Sequence, residues 1–174
     1  FNANVEVNRR AIDDAAVLGA HSFVMVVGGL APGSKDIAAA RAQVAEAAAR
    51  LLAHGKSSGV RIALEPLHPV YAADRSCLSL LSEALHLCDA IEGNSADPWL
   101  GACLDAYHLW WDPNLKRDIA RAGAARRIFG FHVCDWLVPT EDVLNDRGMM
   151  GDGVIDVPGI RRDVEAAGYR GLVE

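Results

Sequence analysis

The sequence predicts an α/β fold: a (β/α)8 barrel, of which residues 1–174 supply about five consecutive βα units as one partial domain. Three observations predict it. Five short apolar runs recur along the chain, each preceded by a helical pattern. The runs are continuous rather than alternating, which marks parallel strands covered on both faces. The polar residues suited to chemistry stand at the C-terminal ends of these runs, where barrel enzymes build their sites. A closed barrel needs eight strands, so about three are expected before Phe1.

The elements follow in order. Residues 4–18 carry Val5, Ile12, Ala16 and Val17 at helical spacing, and Gly19 is a fitting stop. SFVMVVG, 22–28, reads as the first strand. An Ala-rich helix with charges at helical spacing covers 35–54. VRIALE, 60–65, is the second strand. Residues 76–91 place Leu78, Leu81, Leu85 and Leu87 on one broad apolar stripe. LGACLD, 100–105, is the third strand. A short helix over 114–122 leads to IFGFHVC, 128–134. The last helix, 157–168, has Pro158 in its first turn, and GLVE, 171–174, starts a fifth strand. No GxGxxG or GxxxxGK[ST] follows any strand, which weighs against a nucleotide-binding doubly wound sheet.

Composition narrows the functions. About half of the residues are hydrophobic (51%) and 23% are charged, an ordinary balance for a globular domain with a core. The net charge of −6 disfavours nucleic acid, whose binding needs a basic face. No apolar run reaches membrane-spanning length and no signal-peptide pattern opens the chain. The four cysteines, Cys77, Cys88, Cys103 and Cys134, form no CxxC pair. Cys77 falls at the start of the 76–91 helix, Cys88 late in it, and the other two in strands. They read as buried, reduced thiols of a cytoplasmic protein; a zinc cluster needs closer spacing. A first residue that is not Met, and an ending in GYRGLVE, read as a piece of a longer protein.

RIALEPLHP, 61–69, runs an apolar strand straight into Glu65, with His68 between two prolines. The next strand ends in Asp105, followed by His108 in LDAYHLWWDP. The one after carries His132 in FHVCDW. Singly, each residue has an ordinary reading: a solvent-facing glutamate, a helix-capping aspartate, a core histidine. Together they sit on three successive strand ends, which a barrel brings around one axis. Burying three such groups is costly unless they are paired or metal-bound. Two carboxylates and an imidazole suit one divalent ion, Mn²⁺, Co²⁺, Mg²⁺ or Zn²⁺.

ALEPLHP, LDAYHLWWDP, FHVCDW and DRGMMGDGVIDVPGI, in this order over about residues 10–174, resemble the xylose isomerase-like barrel superfamily, in particular its sugar phosphate isomerase/epimerase group. The resemblance implies one divalent metal held by Glu65, Asp105 and His132, with a fourth ligand falling just past Glu174. It implies that His108 of the D-x-x-H pair faces the substrate and that Arg147 binds it. Tyr71 stands where ketose 3-epimerases of the group place a second acid, which weighs against a free-ketose 3-epimerase.

The chemistry implied is isomerisation or epimerisation of a sugar, sugar phosphate or small hydroxy-carbonyl compound through an enediolate. Glu65 is the expected base, with His108 assisting catalysis. His68, His108, Arg147 and Trp111 are the expected substrate contacts, and Asp135 is expected to orient a ligand from behind. The expected partner is a small carbohydrate-like molecule, with neither nucleic acid nor membrane; a homodimer is compatible with this reading. An inosose-type dehydratase and a non-catalytic sugar- or metal-binding barrel remain as alternatives. An endonuclease IV-like nuclease fits the acidic charge poorly.

Overall fold

The computed structural model describes residues 1–174. Its elements are α1 (Asn2–Val17), β1 (Ser22–Met25), α2 (Ile37–Ser58), β2 (Arg61–Leu64), α3 (Leu81–Glu92), β3 (Leu100–Asp105), α4 (Ala106–Leu109), α5 (Leu115–Ala124), β4 (Ile128–His132), β5 (Asp135–Trp136), β6 (Arg147–Gly148) and α6 (Val157–Ala166). The four long strands pair in parallel in the order β1-β2-β3-β4. That sequential order, with a helix in each crossover, is a partial barrel as expected.

The sheet is strongly curled. A flat sheet would hold β1 and β4 about 14 Å apart, three strand spacings of about 4.8 Å. Instead the Ser22 hydroxyl donates to the Phe129 carbonyl at 3.3 Å. Glycines make the inner curve possible: a Cβ on Gly101 would lie 2.6 Å from the Phe129 ring and 2.7 Å from the Arg127 carbonyl.

Alternation along the strands separates two faces. Ile62, Leu64, Leu100, Ala102 and Leu104 are buried and share one cluster with Leu51 and Leu52 of α2, Leu81 and Leu85 of α3, and Ile119 of α5. Ala63, Cys103, Asp105, Gly130 and His132 have the opposite parity and line the inner curve. All six residues of β3 are buried, which is why that strand reads as one continuous apolar run.

Several boundaries differ from those expected. α3 begins at Leu81, not 76, because the preceding segment is spoken for as strand-like backbone. Gly28 forms a parallel bridge with Ser76, Cys77 N–H donates to Gly28 O at 2.9 Å, and Leu67 N–H donates to Leu78 O at 3.0 Å. Cys77 therefore precedes the helix rather than opening it. The helix is capped from within: the Glu83 carboxylate accepts the Ser79 and Leu80 N–H groups. α2 runs on to Ser58 and stops at Gly59 in the left-handed conformation. The expected strand at 171–174 is reduced to one parallel bridge, Val173 with Phe131, flanked by two backbone hydrogen bonds that join Glu174 to Phe131 and to Val133. The antiparallel ribbon β5–β6 and the short helix α4 have no counterpart in the sequence pattern. All four cysteines are free thiols. No helix is long and apolar enough to cross a membrane. β1 is a sheet edge, and beside it an apolar groove of about 450 Å³ lies between α1, β1 and α2.

Candidate metal centre

Three strand ends supply a polar cluster at the C-terminal mouth of the half-barrel. Glu65 follows β2 directly and is only 8% exposed. Its Oε1 lies 2.9 Å from Nδ1 of His132, the last residue of β4. The other ring nitrogen of His132 stands 3.4 Å from Cys103 Sγ and 3.9 Å from Glu174 Oε2. Glu65, Cys103 and His132 each offer a ligand atom, all within 4.8 Å of one another.

Asp105 lies outside that tight group, and the register explains why. Leu64 pairs with Ala102, so Glu65, one residue on, stands level with Cys103, and Asp105 is one layer higher. Asp105 is the register partner of His132. Its Oδ1 accepts the Tyr107 N–H at 2.7 Å and caps α4. Its Oδ2 faces His108 Nε2 at 3.8 Å and an Arg147 amino group at 3.9 Å. The aspartate is thus at once a helix cap and a mouth residue. Cys103 is a site neighbour that the sequence reading does not single out, although its parity with Asp105 is readable. Gly130 makes room for it: a Cβ there would sit 2.8 Å from Cys103 Sγ.

Electrostatics follow from these contacts. The Glu65 carboxylate, hydrogen-bonded to the imidazole, lifts the His132 pKa above its ordinary value against the opposing effect of burial. Burial, with the Glu65 charge added, raises the Asp105 carboxyl. Two acids and an imidazole compressed into one mouth fit a divalent cation, which would compensate both carboxylates and free His132 from Glu65.

A cluster of aromatic rings adjoins the mouth residues. His68 is seated by its own Nδ1, which accepts the Val70 N–H at 3.2 Å and caps a 3-10 turn over Pro69–Tyr71. Its ring stands 4.9 Å from that of Trp136 and 5.7 Å from that of Trp111. Trp111 is fixed by donating to the His108 carbonyl at 2.8 Å. His108 is 3% exposed, edge-on to Tyr71 and Tyr107, and its Nδ1 is buried with no partner. Burial, then the Arg147 charge, pulls its pKa down to about 3, so the imidazole is neutral at pH 7. Burial also lowers the His68 pKa.

Arg147 reaches the aromatic cluster from β6. The long stretch between His132 and Arg147 folds back as the β5–β6 ribbon, with Trp136 paired to Arg147. The guanidinium lies 4.2 Å over the Tyr107 ring. Burial opposes its charge, but Cys134 and Asp105 hold the pKa above the ordinary value. Tyr107 and Trp136, stacked at 4.7 Å, are members of this cluster that the sequence pattern does not reveal. Asp135 does not orient a ligand as expected. It is fully buried, and its hydrogen-bond partners are backbone N–H groups. Burial would raise its pKa, but the N–H groups of Ile155, Gly151, Gly153 and Trp136 hold it below the usual range. Asp156 caps α6 through the Gly159 N–H.

Fold and mouth cluster together define a (β/α)-barrel protein with its polar centre at the C-terminal ends of parallel strands. The chain belongs to the xylose isomerase-like TIM barrel family, whose model matches residues 2–174. Protein SMc04130 from Sinorhizobium meliloti 1021 is 53% identical, with a TM-score of 0.94 over 99% of this chain and 61% of its own. The 3-keto-D-glucoside 4-epimerase of E. coli shares the fold at 18% identity, with a TM-score of 0.75 over 97% of this chain and 61% of the epimerase. IolI, solved with a bound zinc atom, is 19% identical, with a TM-score of 0.70 over 95% of this chain and 56% of IolI. The chain thus spans 56–61% of the length of these structures. No curated protein matches it.

Proposed function

We propose that the protein is a divalent-metal-dependent isomerase or epimerase acting on a sugar, sugar phosphate or small hydroxy-carbonyl compound. The observation that carries this reading is the convergence of Glu65 and His132, 2.9 Å apart, with Asp105 in register beside His132, at the C-terminal mouth. Membership of the xylose isomerase-like TIM barrel family, and a fold shared with a sugar epimerase and with a protein solved with bound zinc, support it.

Glu65, Asp105 and His132 would hold the ion, and when bound it would supply Lewis-acid stabilisation of an enediolate, acidifying the C–H on the hydroxyl-bearing carbon next to the carbonyl. Glu65 is the group in place to take that proton. The neutral His108 offers hydrogen bonds to substrate oxygens rather than a charge. Arg147, anchored over Tyr107, supplies the cationic contact. His68 and Trp111, edge to face at 5.7 Å, are the aromatic groups proposed to contact the substrate. The free thiols support a reducing, cytoplasmic setting.

The test is a panel of keto sugars, sugar phosphates and hydroxypyruvate incubated with the protein and Mn²⁺ or Co²⁺, with products separated by chromatography. The reading predicts an isomer or epimer formed only with metal. Unchanged substrates across the panel, under conditions where the metal is shown to bind, would overturn it.

A further inference from the structure

We infer that Asp135 is a positioning residue: it clamps both ends of the 135–156 excursion and so sets where Arg147 and Trp136 stand at the mouth. The inference rests on the isomerase reading for its kinetic arm alone.

The clamp is built entirely from backbone. Asp135 Oδ1 accepts the Trp136 N–H at 2.8 Å and the Ile155 N–H at 2.9 Å. Oδ2 accepts the Gly151 N–H at 2.8 Å. These donors come from both ends of the excursion, so one carboxylate closes the loop on itself. A buried acid normally needs a cation, and none contacts this one. Its charge is met by aligned N–H dipoles, the arrangement that binds a carboxylate most tightly. The fit leaves no slack: a Cβ on Gly153 would lie 2.5 Å from Asp135 Oδ1 and 2.3 Å from the Trp136 carbonyl.

Arg147 and Trp136 depend on this closure. They face each other in the two-residue ribbon whose other register pair is Asp135 with Gly148. Two residues of ribbon cannot hold their own register, so it is imposed from the clamp at one end. At the far end the Val143 carbonyl accepts the hydroxyls of both Tyr71 and Tyr107 at 2.8 Å. Arg147 lies between these fastenings, over the ring of Tyr107. Asp135 makes no hydrogen bond to the side chains expected to meet substrate, so its effect on substrate is argued to run through the excursion it closes.

Asp135→Asn tests this. The amide keeps the size and one acceptor, but turns a donor toward a backbone N–H, most directly that of Gly151. Three readouts are expected in the full chain. Amide exchange of Gly151 and Ile155, read by hydrogen–deuterium exchange, rises at least tenfold while the β2 and β3 amides stay protected. Trp136 fluorescence, read in a Trp99→Phe, Trp110→Phe, Trp111→Phe background, shifts toward the exposed range. KM for the substrate found above rises about tenfold or more with kcat within about threefold, and the change is absent when Arg147 is already Gln. Gly153→Ala leaves the carboxylate in place and spoils the same clamp from the opposite side, so it must reproduce all three changes. Unaltered exchange and fluorescence in both variants would overturn the inference whatever the activity. So would a KM change that adds in full to that of Arg147→Gln. A protein without isomerase activity, but with the exchange and fluorescence changes, would refute the reaction and keep the clamp.

Discussion

His132 Nδ1 and Glu65 Oε1 lie 2.9 Å apart, so the two residues proposed first as metal ligands are paired with each other. The bond raises the His132 pKa. A raised folded-state pKa contributes stability that is complete below the unfolded value, about 6.5, and is lost as pH rises through the folded one. Metal-free protein is therefore expected to lose thermal stability as pH climbs through that window, and His132→Gln to lose that part of the pH dependence. Metal binding has the opposite sign, since the ion competes with the proton: binding should tighten with pH and release protons into a weak buffer. Calorimetry in buffers of different ionisation enthalpy checks this, and binding without proton release at pH 6 would contradict the pairing.

The ligand set is separately testable. Asp105 is proposed as a ligand, yet Cys103 Sγ is the atom that shares a 4.8 Å cluster with Glu65 and His132. Burial raises the Cys103 thiol pKa far above its ordinary value, which favours the neutral form. The Co²⁺-loaded protein is expected to show weak visible bands and no intense near-ultraviolet thiolate-to-metal band. Asp105→Asn should weaken Co²⁺ binding at least tenfold, and Cys103→Ala should leave it within about threefold. A strong near-ultraviolet band that vanishes in Cys103→Ala would transfer the ligand role to the thiol.

Much of the strand pattern and of the mouth cluster is legible in the amino-acid sequence. Continuous apolar runs reveal the parallel strands because β2 and β3 are covered on both sides, leaving no alternation to confuse the pattern. Glu65, Asp105 and His132 stand out because an ionisable group ending such a run has no packing reason to be there. Long-range pairing hides the rest. Ser76–Leu78 reads as helix by its leucine spacing, and only the Gly28 bridge makes it strand-like. Trp136 carries no signal of its own in FHVCDW, and only the ribbon brings it against Tyr107. Asp135 reads as a ligand's support for the same reason: two of its actual partners lie 16 and 20 residues away, beyond any local pattern. Cys103 attracts no notice because a thiol in an apolar strand is ordinary, and its closeness to Glu65 depends on register.

Gly130 is expected to be irreplaceable while Cys103 is present. Gly130→Ala puts a Cβ 2.8 Å from Cys103 Sγ, below any ordinary contact, with both residues in the closely packed sheet. Overpacking of this kind costs about 1–3 kcal/mol. Denaturant unfolding should show that loss, and Cys103→Ala in the same chain should restore most of it, because the clash is pairwise. Equal destabilisation with and without the thiol would place the cause in the backbone of β4 instead.

The central claim is that Glu65 removes a proton from carbon beside a carbonyl. The most direct measurement incubates the metal-loaded protein in D₂O with ketoses, sugar phosphates and hydroxypyruvate, and reads deuterium at that carbon by NMR or mass spectrometry. Exchange needs only the first chemical step, so it reports even on a poorly turned-over substrate. Wild-type protein is expected to wash deuterium in, dependent on Mn²⁺ or Co²⁺. Glu65→Gln keeps the shape and loses the base, and should slow exchange by about 10²–10⁴-fold or more, since metal binding weakens as well. Exchange in Glu65→Gln at the wild-type rate would contradict the claim and remove Glu65 from the chemistry.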